Sequence, residues 1–260
     1  GIGTFIRNIL PHFSPSRLSG KYRIILLGDP DKLKAFGLET IPLACPIYSV
    51  SEQILIPRIL NKTKTDLYHA THYNIPVFYT GKILATIHDL IHLIYPEYLP
   101  LGKLGMIYAG FMFNQAVKKS SRIITISENT KKDIIRILGA DEKKISVIYP
   151  GVSQKTFFPG DNLSAKKAGD YILSVGVIRP HKNTITLIEA FHKFLESTGA
   201  EFRLILVGWG KPPYINEVVK KISLLSLEDK VTIMEKISQE EELAELYRNA
   251  FMFVFPSLYE

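Results

Sequence analysis

Short apolar runs recur along this chain with amphipathic stretches between them, and that alternation constrains the fold more than any other feature. Residues 22–27 (YRIILL), 82–87 (KILATI), 122–126 (RIITI) and 145–148 (ISVI) each read as a buried strand. Tyr171–Val175 (YILSV), 202–207 (FRLILV), Val231–Met234 (VTIM) and 251–255 (FMFVF) continue the series. The runs are continuous rather than alternating, as in strands covered by helices on both faces. Between them, Glu128–Leu138 reads as a helix capped by Ser127 and stopped by Gly139. Residues 184–195 place Ile185, Ile188, Phe191 and Leu195 on one helical face. Residues 238–249 open with Ser238 and Glu241, a capping box. Strands alternating with helices predict an α/β protein with parallel sheets joined by right-handed crossovers.

The pattern breaks at residues 151–170 (GVSQKTFFPGDNLSAKKAGD), which carry Gly, Ser, Lys and Pro without a period. A domain boundary is expected there. Two α/β lobes would then face a cleft, a common place for a ligand. The formal charge of +7 favours anionic partners: nucleotide phosphates, an anionic lipid surface or nucleic acid. The basic residues are scattered in pairs such as Lys118-Lys119 and Lys143-Lys144, with no long basic block and interleaved aromatics, so nucleic acid is not an expected partner. Cys45 is the one cysteine, so no internal disulfide forms and a cytoplasmic setting is expected. Its expected role is a small buried residue at a strand start. No apolar run approaches the ~20 residues of a membrane-spanning helix.

Several segments carry residues able to do chemistry. Gly176-Val177-Ile178-Arg179-Pro180-His181-Lys182-Asn183 follows one predicted strand and precedes a predicted helix. Such a turn aims backbone N–H groups and the positive helix end above the sheet. Arg179 and Lys182 add two cations, which suits a diphosphate; a solvated basic loop with Asn183 or Thr184 as cap fits the residues equally. Gly208 and Gly210 in Leu206-Val207-Gly208-Trp209-Gly210 would let backbone approach a ligand closely, though turn geometry alone also explains them. His88 and Asp89 sit at the C-terminal end of a strand, where open α/β sheets bind ligands. His88 suits a sugar hydroxyl or proton transfer, against a structural histidine as the plainer role. His69 and His72 lie near another strand end, and nothing in the spacing of the histidines specifies a metal site. In Asp29-Pro30-Asp31 a metal-binding pair is conceivable, but Asp31 as a helix cap is the expected role.

Taken in order, these pieces resemble glycosyltransferase family 4, the retaining GT-B enzymes, over essentially the whole chain. Gly1-Ile2-Gly3-Thr4-Phe5 resembles the second half of the family's glycine-rich loop, and Thr86-Ile87-His88-Asp89-Leu90 its His-Asp segment. Residues 124–129 (ITISEN) and 147–152 (VIYPGV) resemble the family's stretches near the end of the first lobe. Gly176 to Asn183 is similar to its phosphate loop, and 237–247 (ISQEEELAELY) to the segment beside the nucleotide base. Residues 255–260 (FPSLYE) resemble the opening of its paired-glutamate motif. Three positions depart from the pattern: Val177 and His181, where members often carry arginine, and Ser153, where they often carry aspartate.

The resemblance implies two Rossmann-like lobes: residues 1–158 on the acceptor side, lacking a first strand, and 159–260 on the donor-nucleotide side, incomplete. It also implies that the chain is a fragment cut at both ends and inactive alone. As catalytic residues it implies His88, near the reacting carbon, and Glu260, beside the transferred sugar. Gly1, Gly3, Asp89, Arg179, Lys182, Gly208 and Ile237 are the implied binding residues, with Lys182 and Arg179 neutralising the leaving diphosphate. The implied reaction is transfer of a sugar, mannose favoured, from an NDP-sugar such as GDP-mannose to a glycan or lipid-linked acceptor in cell-surface polysaccharide synthesis. No metal or other cofactor is implied, and the location is the cytoplasm with peripheral contact at the inner membrane face. A non-catalytic sugar-nucleotide-binding protein on the same fold is the alternative. An oxidoreductase ranks lower, because no full GxGxxG with its following acid is present.

Overall fold

The computed structural model describes residues 2–13, 21–98, 102–159, 170–237 and 239–260. The chain divides into two compact units, Gly1–Pro150 and Gly151–Glu260.

The first unit opens with helix α1 (Ile2–Ile9) and then a strand β1 (Ile25–Gly28) paired in parallel with β2 (Glu39–Pro42). The short α2 (Pro30–Leu33) lies between them. Helix α3 (Val50–Lys62) leads to β3 (Tyr68–Ala70), which pairs with β4 (Ile83–Ile87). The short α4 (Ile91–Ile94) and the long α5 (Gly102–Lys119) lead to β5 (Arg122–Thr125). Helix α6 (Glu128–Leu138) crosses to β6 (Ile145–Val147). The result is an all-parallel sheet of order β3-β4-β5-β6. Its core lies against β4, where Ile83, Ala85 and Ile87 are fully buried under Ile56 and Leu60 of α3 and Met112, Phe113 and Ala116 of α5. Each of the larger side chains among them, isoleucine, leucine, methionine or phenylalanine, stabilises the unit by about 1.5–3 kcal/mol on leaving water.

The second unit repeats the plan. Strand β7 (Tyr171–Val175) passes through helix α7 (Thr184–Thr198) to β8 (Arg203–Val207). Helix α8 (Tyr214–Leu224) leads on to β9 (Val231–Met234), and α9 (Glu240–Asn249) returns to β10 (Met252–Phe253). The parallel order β10-β7-β8-β9 puts β7 beside both the last strand and β8. Leu204 is fully buried with Ile188, Phe191, Val218 and Ile222 from the two crossover helices.

The parallel α/β architecture agrees with the sequence expectation, but several local expectations need correction. The first strand starts at Ile25, not at residue 22, because Tyr22 is exposed and Arg23 reaches sideways to the Glu39 carboxylate at 2.7 Å. The last strand shrinks to two residues, since Phe251, Met252 and Phe253 are all exposed at the sheet edge. Helix α7 runs three residues past Leu195 and ends on Gly199 in the left-handed region. Asp29, not Asp31, caps α2; its carboxylate accepts from the Asp31 N–H at 3.0 Å. Ser238 lies outside the described residues, and α9 starts after Gln239 with three glutamates in its first turn. Cys45 follows the end of β2 and is half-buried, so it does not open a strand.

Candidate active site

In the second unit the loops leaving β7 and β8 run side by side. The Gly176 N–H donates to the Val207 carbonyl at 2.8 Å, and Ile178 N–H to the Trp209 carbonyl at 2.9 Å. A Cβ on Gly208 would stand 1.8 Å from the Gly176 carbonyl oxygen, far inside contact distance. Gly210 is also hemmed in, with Ile178 and Ile215 each 3.1 Å from the place of its Cβ. The close approach that these glycines permit is therefore to the neighbouring loop.

The loop then forms a 3-10 turn at Pro180–Lys182, and Asn183, at φ 58°, turns the chain into α7. No side chain caps α7, so its positive end is directed at whatever lies above the loop. His181 is buried, and its carbonyl accepts from Leu258 N–H at 2.7 Å and from the Ser257 hydroxyl at 3.3 Å. Those bonds lay residues 255–260 along the loop. The Lys182 ammonium consequently pairs with the Glu260 carboxylate and sits 5.1 Å from the centre of the Phe255 ring. Its side chain is 16% exposed, against 56% for Glu260, so the lysine is held and the carboxylate is open. Arg179 and Lys211 flank the Trp209 ring at 6.0 and 5.6 Å, which places two more cations beside the turn. The hollow bordered by Ser174, Gly176, Lys182, Thr184 and Phe255 encloses only about 20 Å³.

In the first unit a cavity of about 210 Å³ lies at the C-terminal end of β4. His88, Asp89, His72, Tyr73, His92 and Tyr48 line it. The His88 Nε2 donates to the Thr71 carbonyl at 3.0 Å, and the Phe5 ring of α1 meets its ring edge-on at 5.0 Å. With Nε2 so occupied, Nδ1 is the accepting nitrogen of the neutral ring. Asp89 spends one oxygen on the Ile91 N–H at 2.9 Å, ahead of α4. His92 shares a 2.8 Å hydrogen bond with the Tyr73 hydroxyl, and Tyr73 stacks on Phe113 of α5 at 3.9 Å. Burial lowers the His88 and His69 imidazoles and pushes His72 down to about 4, with His88 and His92 adding to the shift. All three rings are therefore neutral at physiological pH, able to hydrogen-bond without carrying charge.

The structure brings Arg179, Lys182, Gly208 and Glu260 to one end of the second sheet, and His88 and Asp89 to the first-unit cavity. Ile237 packs half-buried against Tyr171, Leu173 and Val207 just past β9. Gly3 lies in the first turn of α1, exposed, so this segment is helix rather than loop; Gly1 lies outside the described residues. Tyr48, Tyr73 and Lys211 were not legible as site residues. Tyr48 comes from the approach to α3, twenty-four residues before His72, and only the fold joins them. Among the described residues no group of three or more His, Cys, Asp or Glu could hold a metal ion.

A family model described as Glycosyltransferase Family 4 matches residues 22–155, more than half of the chain. This chain belongs to glycosyltransferase family 4. A second model, Glycosyl transferases group 1, matches residues 160–260. The O-antigen chain mannosyltransferase RfbU of Salmonella typhimurium is 33% identical over 190 residues, which cover 73% of this chain and 49% of that protein. The D-inositol 3-phosphate glycosyltransferase of Kineococcus radiotolerans is 29% identical over 156 residues, 55% of this chain and 36% of that protein. The family 4 chain thus spans half or less of the length of these relatives. Sucrose-phosphate synthase from Thermosynechococcus elongatus superimposes with a TM-score of 0.74 at 18% identity, over 100% of this chain and 71% of that one. Anabaena Alr3699/HepE, solved with UDP and glucose, gives 0.70 at 17% identity, over 99% and 71%. These likenesses show the fold, which is GT-B.

Proposed function

We propose that this family 4 protein transfers a sugar, mannose favoured, from an NDP-sugar to a glycan or lipid-linked acceptor in cell-surface polysaccharide synthesis. The observation that carries the reading is the convergence of Lys182 and Glu260 at the N-terminal end of α7. A lysine held in place beside an uncapped helix end suits the two phosphates of a nucleoside diphosphate. An open carboxylate next to it suits the hydroxyls of the sugar those phosphates carry. The name of the Salmonella relative supports mannose, and GDP-mannose is the favoured donor; the UDP bound by the Anabaena protein supports a nucleotide-linked sugar in general.

In this reaction the bond from the anomeric carbon to the diphosphate oxygen breaks, and charge accumulates on the leaving diphosphate. Lys182, with Arg179, offsets that charge where it develops, which is the interaction that lowers a barrier. No metal is needed for it in this reading. The acceptor hydroxyl adds on the face the diphosphate leaves, with retention, and its proton passes to a leaving phosphate oxygen. By the family resemblance His88, neutral and oriented by Thr71, is assigned to a sugar hydroxyl, and Asp89 borders the same first-unit cavity. By the family resemblance Gly3 and Gly208 are assigned to the donor phosphates and Ile237 to the nucleotide base.

The test is incubation of the full gene product with a panel of radiolabelled NDP-sugars. Transfer or slow donor hydrolysis that collapses in Lys182→Ala supports the reading. Donor binding with no turnover in the unaltered protein would instead make it a sugar-nucleotide-binding protein.

A further inference from the structure

The turn into helix α3 holds Tyr48 where side chains rarely go. Its φ of 68° lies in the left-handed region, which is costly for any residue with a Cβ. Such strain persists only where the surroundings hold it, and it gathers at ligand clamps. Here the hold is visible. Ser49 caps α3 by accepting from the Glu52 N–H at 3.2 Å. In a reciprocal cap the glutamate would return to the Ser49 N–H, but that N–H donates to the Pro46 carbonyl at 3.3 Å. The Glu52 carboxylate reaches one residue further back and accepts from the Tyr48 N–H at 2.9 Å. The same oxygen accepts from the Asn74 amide at 2.7 Å, and Asn74 accepts from the Tyr108 hydroxyl at 2.6 Å. Tyr48 is thus tied to α3, to the segment after β3 and to α5.

These ties fix a ring. The Tyr48 ring meets His72, Tyr73 and Tyr108 at 5.9, 6.2 and 6.1 Å. It stays 44% exposed and forms part of the wall of the cavity of about 210 Å³. A tyrosine held this way offers flat apolar area at small entropic cost. The rest of the wall hydrogen-bonds without positive charge. Among the described residues no lysine or arginine lines the cavity, and burial keeps the His72 and His88 rings neutral at physiological pH. Asp89 is the acid of the wall. A phosphate or carboxylate entering there would be desolvated with no cation to pair with and a carboxylate beside it, which is unfavourable twice over. An uncharged sugar ring meets neither obstacle. Its C–H face suits an aromatic ring, and its hydroxyls suit imidazole nitrogens and a carboxylate oxygen.

We propose that the first-unit cavity takes an uncharged sugar ring against Tyr48 and rejects phosphorylated and acidic sugars, with Glu52 as the positioning residue for Tyr48. That this sugar belongs to the acceptor rests on the transferase reading above; the selection by charge does not.

The experiment is ligand-observed NMR titration of the full gene product with the methyl glycosides of mannose, glucose and galactose, with their 6-phosphates and with glucuronic acid. At least one uncharged glycoside should bind. Tyr48→Ala should weaken that binding by about tenfold, whereas Tyr48→Phe keeps the ring and should bind as the unaltered protein does. Glu52→Ala should lose a similar factor, and Glu52→Gln, which keeps an oxygen for both N–H donors, should restore it. In the Tyr48→Ala background Glu52→Ala should cost nothing more, because it acts through that ring. Absence of glycoside binding overturns the proposal, and so does binding that Tyr48→Ala leaves unchanged. A 6-phosphate or glucuronic acid bound as tightly, and weakened by Tyr48→Ala, overturns the selection by charge. A Glu52→Ala variant that binds as the unaltered protein does, or that loses the same factor in both backgrounds, overturns the positioning role. A protein that binds NDP-sugars but no uncharged glycoside refutes this proposal alone; one that binds a glycoside at Tyr48 but no NDP-sugar refutes the transferase reading alone.

Discussion

Lys182 and Glu260 are seventy-eight positions apart and form an ion pair. The pairing is built by the sheet: β10 lies beside β7, the Val254 N–H donates to the Leu173 carbonyl at 2.8 Å, and Ser257 and Leu258 then fasten to the carbonyl of His181. Residues 254–260 and the loop between β7 and α7 are thus held together, and disturbing either moves the other.

Replacing Lys182 by Ala in the full gene product should lower kcat by about a hundredfold or more, the scale of losing one preorganised charge contact. Glu260→Gln should keep nucleotide binding, because the lysine remains, while lowering turnover. Steady-state kinetics with a saturating NDP-sugar checks both. Equal losses of nucleotide affinity in the two variants would mean that the ion pair serves only to hold the loop.

Gly208→Ala should destabilise the second unit by about 2–4 kcal/mol, since its new methyl would meet the Gly176 carbonyl, which is backbone and cannot step aside. Gly176→Ala should cost less, because its methyl meets the Phe255 ring at 3.3 Å, and a ring can shift by tenths of an ångström. Denaturant melts of the two variants order the losses. The reverse order would contradict the packing described.

Ser127→Ala should cost about 1 kcal/mol. The Ser127 hydroxyl accepts from the Thr130 N–H at 3.0 Å at the start of α6, and removal strands that donor. The same melts measure it.

Protonation of His72 should destabilise the first unit in acid. Its imidazole is pushed down to about 4 in the folded chain, against about 6.5 when unfolded. Between those values the unfolded chain binds more protons, so the contribution is complete above about pH 6.5 and is lost as the pH falls toward 4. The buried Nδ1 of His72 has no hydrogen-bond partner among the described residues, which fits a ring kept neutral. Melting temperature should therefore fall less steeply from pH 6.5 to 4.5 in His72→Asn than in the unaltered protein. Equal slopes would contradict the shift.

Helix α6 was legible to the residue because Ser127 and Gly139 mark both of its ends. Strands β7 and β9 were equally legible, β7 as a continuous apolar run and β9 as one broken only by the exposed Thr232. Helix α5 was not, because exposed Leu104, Ile107 and Phe111 erase the polar stripe from which a helical period is read. Helix α3 carries Pro57 inside it, which argues against a helix when the chain is read alone, and of β3 only an end near His69 and His72 was legible, since three residues are too few to show a pattern. In the candidate site, Lys182, His88 and Glu260 were visible as members of motifs. The Tyr48–His72–Tyr73 wall was not, because ring contacts of 5.9 and 6.2 Å join segments that no local spacing relates. The second glycine of Gly-Trp-Gly was visible, but its reason, the contact with Ile178 across two strands, was not.

The most direct measurement of the central claim is calorimetric titration of the full gene product, and of its Lys182→Ala variant, with GDP, UDP and their sugar conjugates. Saturable binding of at least one nucleoside diphosphate, weakened by about tenfold or more in the variant, is the expected result. Absence of binding by every nucleotide to a folded wild-type protein, or equal binding by the variant, would contradict a diphosphate site at the turn between β7 and α7.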